Sequence, residues 1–109
     1  MKKFIALYYN TSGAHQPAPE LTAEQQEQMM APWASWEKKC GDRLVDMGAP
    51  FAPASSSDSG DSWSPSKNFV TGYSIVSANS LVEAQEMFKG HPIYSYPDHA
   101  VEISECLPM

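Results

Sequence analysis

Basic residues are scarce in this sequence. Seven lysines and arginines stand against 13 aspartates and glutamates in 109 residues, a formal net charge of −6 at pH 7. The seven are dispersed, whereas nucleic acid needs a concentrated cationic face to neutralise its phosphates, so that partner class is disfavoured and acidic membrane surfaces with it. Cysteine is nearly missing as well. Cys40 and Cys106 form neither a CxxC pair nor a zinc spacing and read as small reduced hydrophobes of a cytoplasmic protein, not as nucleophiles. Long apolar runs are also absent. Phe4–Tyr9 after Met1-Lys2-Lys3 superficially suggests a secretion signal, but the run is shorter than the ~7–15 residues such a signal needs and no small-residue cleavage site follows. Nothing approaches the ~18 apolar residues of a membrane helix. With no phosphate loop or dinucleotide fingerprint, no cofactor is expected. His15, His91 and His99 have no spacing that suits a metal.

What is present is a readable order of elements. Lys3–Tyr9 alternates with apolar residues on both faces: Phe4, Ala6 and Tyr8 on one side, Ile5, Leu7 and Tyr9 on the other, a strand. Residues 15–21 carry Pro17 and Pro19 and form a connection. Thr22 and Gln25 then make a capping-box pattern, and Met29, Met30, Trp33, Trp36, Cys40, Leu44 and Met47 recur at helical spacing until Gly48 and Pro50. Pro32 inside that pattern predicts a kink or break. Residues 49–54 are a weak strand candidate confined to an edge by Pro50 and Pro53. Residues 53–66 are so rich in Ser, Pro, Asp and Gly that a flexible loop is expected, with Trp63 either docked onto the body, the favoured reading, or stacked on a ligand.

The most informative stretch is 68–92. Val70, Gly72, Ser74, Val76 and Ala78 alternate with Phe69, Thr71, Tyr73 and Ile75, a strand. Ser80 and Glu83 have the spacing of a second capping box, and Lys89, Gly90 and Pro92 end the helix. A connection follows over 93–98, and a last strand over 99–107 has Val101, Ile103 and Leu107 on one side and Glu102, Ser104 and Cys106 on the other. The result is an α+β, ferredoxin-like βαββαβ sandwich in a single domain, residues 1–109. Two helices cover one sheet face only. The other is too apolar for water, so a homodimer packed sheet to sheet is expected.

Several segments together resemble the YCII-related family. They are MKKFIALYY, the helix carrying Trp33 and Trp36, Gly41–Asp46, Gly72–Val76, Ser80–Ala84, Gly90-His91-Pro92 and Val101–Ile103. The resemblance implies a small dimeric α+β barrel and, in some members, an enzyme using a His/Asp pair. A DGPF-type motif found in one branch is replaced here by the serine-rich loop.

His91 is the leading candidate for chemistry, as a general acid or base. Its place after a helix C-terminus favours the protonated form, and outside the core it should add little to stability. Asp98 is the nearest carboxylate to orient it; Asp42 and Asp46 are alternatives on the first helix. Tyr8, Trp33, Trp36 and Tyr73 would line an apolar pocket with Ser74 as its polar contact. Three functions follow: a cofactor-independent enzyme on a small apolar or aromatic molecule, a non-catalytic small-ligand-binding or regulatory protein, and a protein-interaction module using the acidic loop around Asp58 and Asp61.

Overall fold

The computed structural model describes residues 1–13 and 20–108, so most of the predicted 15–21 connection, and His15, lie outside the described residues. The elements are β1 (Lys2–Asn10), α1 (Ala23–Cys40), a 3-10 turn (Gly41–Arg43), β2 (Leu44–Asp46), β3 (Ser55–Ser56), β4 (Ser64–Pro65), β5 (Val70–Ala78), α2 (Leu81–Glu86), a second 3-10 turn (Pro92–Ser95) and β6 (His99–Cys106). Four strands make one antiparallel sheet in the order β2–β5–β1–β6. Each helix therefore joins two strands that flank a third, which is the ferredoxin-like arrangement.

The long central strands β1 and β5 set the interior. Phe4 pairs with Val76, Ala6 with Ser74 and Tyr8 with Gly72, and period two turns all six to the helix side. Phe4, Ala6, Val76 and Ala78 are fully buried there, closed over by Trp36, Ala84, Met87, Phe88 and Ile93. Burying one side chain the size of Phe4 contributes roughly 1.5–3 kcal/mol. Gly72 leaves room for the ring opposite: a Cβ there would lie 3.5 Å from Tyr8 Cδ2 and 3.1 Å from the Ala49 carbonyl oxygen.

α1 begins as its sequence dictates. The Thr22 hydroxyl accepts from the Gln25 amide and the Gln25 side chain accepts from the Thr22 amide, a complete capping box. The expected break at Pro32 does not occur. Pro32 and Gln28 are both exposed, so the one carbonyl that loses its donor faces water. The helix does end earlier than its apolar spacing suggests, at Cys40, where Gly41 takes a positive φ of 58°. Leu44 lies instead in β2 and pairs with Val76, and Met47 lies beyond that strand. Gly48 is required by its surroundings: at φ +82° any Cβ would sit 1.6 Å from the Tyr73 carbonyl oxygen.

The 49–54 strand candidate reduces to a bridge from Pro50 to Gly72 and a bond from the Phe51 amide to the Thr71 carbonyl, as two prolines in six residues dictate. The serine-rich segment is not featureless: β3 and β4 form a two-residue ribbon with Ser55 opposite Pro65 and Ser56 opposite Ser64. Trp63 does not dock onto the body; it is 66% exposed.

α2 is shorter than its capping pattern implies. Ser80 accepts from the Glu83 amide, but the Glu83 carboxylate reaches Arg43 at 3.6 Å and leaves the box half made. The chain then turns through Gly90, φ 71°, into the Pro92–Ser95 turn that sequence patterning reads as an unstructured connection.

Candidate functional site

The site is built where β1, β5 and the turn after α2 meet. Tyr8 and Ser74 stand on neighbouring strands on the helix side, and Gly90 swings the chain so that His91 drops in beside them. His91 is 2% exposed, Tyr8 3% and Ser74 fully buried. One observation fixes the polarity of the group. His91 caps the Pro92–Ser95 turn, its Nδ1 accepting from the Ile93 amide at 3.0 Å. An amide only donates, so Nδ1 carries the lone pair and the ring proton of a neutral imidazole sits on Nε2. Nε2 then donates to the Tyr8 hydroxyl at 3.2 Å, Tyr8 donates to Ser74 Oγ at 2.7 Å, and Ser74 donates to the Met47 carbonyl at 2.7 Å. The chain of donors runs one way, and both ring nitrogens are used.

Aromatic rings surround this relay. Tyr8 stacks on His91 with centroids 5.2 Å apart, Trp33 and Trp36 meet it edge-on at 4.7 and 4.4 Å, and Phe88 lies tilted at 5.3 Å. Both indoles are fastened: Trp33 Nε1 donates to the Tyr96 hydroxyl and Trp36 Nε1 to the Met87 carbonyl, each at 2.8 Å. These contacts anchor α1, which buries Trp36 and leaves most of its other residues exposed, with Trp33 half-buried. Burial inside the box lowers the His91 pKa to about 4 and raises that of Tyr8 to about 12, the Tyr8–Ser74 bond opposing the second shift. The expectation of a protonated His91 is thereby corrected, since loss of hydration outweighs the helix terminus. The expectation that His91 lies outside the core is corrected with it.

The sequence-selected residues divide. Tyr8, Trp33, Trp36, Ser74 and His91 come together. Tyr73 does not: by strand alternation it lies on the opposite sheet face, where its hydroxyl donates to Asp46 at 2.9 Å and its ring stacks on Phe51, the carboxylate raising its pKa. Asp98 is not among the hydrogen-bond partners of His91. It sits in the turn before β6 with φ 56°, and its carbonyl accepts from the Thr11 amide at 2.7 Å. Asp42 and Asp46 are not on α1, which has already ended. Sequence reading misses Phe88, Tyr96 and the Ile93 amide. A capped Pro turn after Gly90-His91 is the signal for the last, because a histidine two residues before an amide can cap it.

Two clefts open beside the described residues. One of about 160 Å³ is lined by Gln85, Phe88, Tyr94, Val101 and Ile103, and the Phe88 ring also contacts His91. The other, about 510 Å³, lies against the open sheet face and includes Leu7, Pro50, Phe51 and Val70. Among the described residues no cluster of three or more His, Cys, Asp or Glu side chains is arranged to hold a metal ion, and no helix is long and apolar enough to cross a membrane.

No family model matches the chain, and no curated protein matches it. Among solved structures it is similar to a 5-chloro-2-hydroxyhydroquinone dehydrochlorinase from Burkholderia phenoliruptrix AC1100, in complex with 2,5-dihydroxybenzoquinone. The identity is 14%, the match covers 92% of this chain and 90% of that one, and the TM-score is 0.49. At that distance the likeness carries no argument about function.

Proposed function

We propose that this protein binds a small, ring-bearing organic molecule between α1 and the sheet, with the Tyr8 hydroxyl as the polar contact. The observation that supports this is the relay itself: three polar side chains, almost wholly buried, joined in one direction and enclosed by aromatic rings. A pocket of aromatic walls around a few convergent polar groups is the usual composition of a small-molecule site, and rings are the ligands that edge-to-face and stacked walls favour. Entry requires α1 to lift from the two indole contacts that hold it, Trp33 to Tyr96 and Trp36 to Met87.

A catalytic version with His91 as acid or base and Asp98 as its carboxylate asks for more. His91 has no free lone pair while the Ile93 amide holds Nδ1, and Asp98 would have to replace an existing bond. Binding without turnover asks for neither change, and it is the reading we take. By the same logic the protein is a homodimer, since Ile5, Leu7, Tyr9 and Ile75 on the uncovered face are only half-buried in one copy and a second sheet would cover them.

Titration with phenol, catechol and benzoate, followed by tryptophan emission, tests the reading. A saturable change is expected with one of the three, weakened about three- to tenfold in Tyr8→Phe, the scale of one hydrogen bond. Binding that ignores Tyr8→Phe places the ligand elsewhere, and conversion of a probe that is lost in His91→Gln restores the catalytic version.

A further inference from the structure

The β3–β4 ribbon has no fold-internal reason to present a tryptophan. Residues 55–65 contain no buried position, only Ser57 being half-buried, and an isolated two-stranded ribbon is marginal in water. Trp63, 66% exposed, is among the largest apolar side chains left in solvent, and a ring of that size is ordinarily placed where it can be covered. Asp58 and Asp61 lie on the same arm and have no ion pair among the described residues.

The open sheet face supplies the complement. Its cleft of about 510 Å³, with Leu7, Pro50, Phe51 and Val70 in its lining, is roomy enough for an indole. On β1 the alternation that turns Phe4 inward leaves Lys3 on the same side as Ile5 and Leu7. Lys3 is exposed, and no ion pair to it occurs among the described residues, whereas its neighbour Lys2 pairs with Glu105. A single face thus offers an apolar cleft and a free cation, and a single arm offers an indole and two free carboxylates.

We propose that the arm belongs to the partner: in a homodimer Trp63 of each copy docks in the cleft on the open sheet face of the other, with Asp58 and Asp61 turned toward the other copy's Lys3. The contact is made twice by symmetry. This inference rests on the sheet-to-sheet dimer and adds a specific clasp to it.

Trp63 and the charged groups are exposed, so the substitutions at positions 3, 58, 61 and 63 leave the core intact. Sedimentation equilibrium should show a dimer whose dissociation constant rises about tenfold or more in Trp63→Ser, as for a central aromatic anchor. In the difference between wild-type and Trp63→Phe emission, the Trp63 contribution should shift to shorter wavelength as concentration is raised through the dimerisation range. Lys3→Glu should weaken the dimer, and adding Asp58→Lys and Asp61→Lys to it should restore association. A dimer indifferent to Trp63→Ser and to the charge reversals overturns the clasp and leaves the sheet-to-sheet dimer standing. A monomer at all concentrations overturns both, and a Trp63 emission that stays solvent-like within a stable dimer overturns the clasp alone.

Discussion

The two faces of one sheet are built from alternate residues of the same two strands, yet they are closed by different means. Under the helices Phe4, Ala6, Tyr8, Ser74, Val76 and Ala78 are buried to within a few per cent, and every polar group of the relay is satisfied within the chain. On the other face Ile5, Leu7, Tyr9, Tyr73 and Ile75 remain half-buried, and the cleft there is lined in part by Ala54 and Ser66, which flank a ribbon with no buried residue. The apolar content of the strands is similar on both sides. What differs is whether the chain supplies its own cover, and it is the second face that the proposed dimer would close.

The largest effect that separates the faces is a pair of truncations. Phe4→Ala should cost about 3–5 kcal/mol, the range for a fully buried phenylalanine, while Ile5→Ala, one residue away, should cost less than about 2 kcal/mol in the monomer. Denaturant midpoints of the two variants at low protein concentration check this. Equal losses would mean that the open face is already covered within one copy.

Next in size is His91→Ala, expected to cost about 2–3 kcal/mol. It removes a packed ring and strands the Ile93 amide, a buried donor with no other partner in the turn. A change within experimental error in the unfolding midpoint would mean that the turn does not depend on the Nδ1 bond.

A pH series sharpens the same point. The folded pKa of His91 is depressed to about 4 from 6.5, so the unfolded chain takes up the proton first. The stability due to neutral His91 is therefore complete above about pH 6.5, declines as pH falls toward 4, and changes no further below that. The decline approaches about 3 kcal/mol, and His91→Ala should abolish it. A slope between pH 6.5 and 4 that is unchanged in His91→Ala would assign it to carboxylates instead.

Much of this arrangement is legible in the sequence where local rules act alone. The alternation in Phe4–Tyr9 and Val70–Ala78 gives both central strands, Thr22 and Gln25 give the start of α1, and the uncovered face follows from counting helices. Local rules mislead where one residue outvotes a pattern: Gly41 ends α1 although Leu44 and Met47 continue its spacing, and Pro32 does not break it because its cost is met by solvent. The candidate site is legible in its membership, since Tyr8, Trp33, Trp36, Ser74 and His91 do converge, but not in its polarity. The tautomer of His91 depends on an amide two residues away in a turn that composition does not reveal. Tyr73 is assigned to the wrong face only because aromatic character is read without its strand parity; it is one position from Ser74 along β5, so the two side chains point to opposite faces.

The most direct test of the relay is ring nitrogen NMR of His91 in uniformly labelled protein. From pH 8 to pH 5 both nitrogens should report a neutral imidazole protonated on Nε2, with Nδ1 shifted as an acceptor. A ring that carries its proton on Nδ1, or one that becomes doubly protonated near pH 6.5, would contradict the one-way chain from His91 through Tyr8 to Ser74.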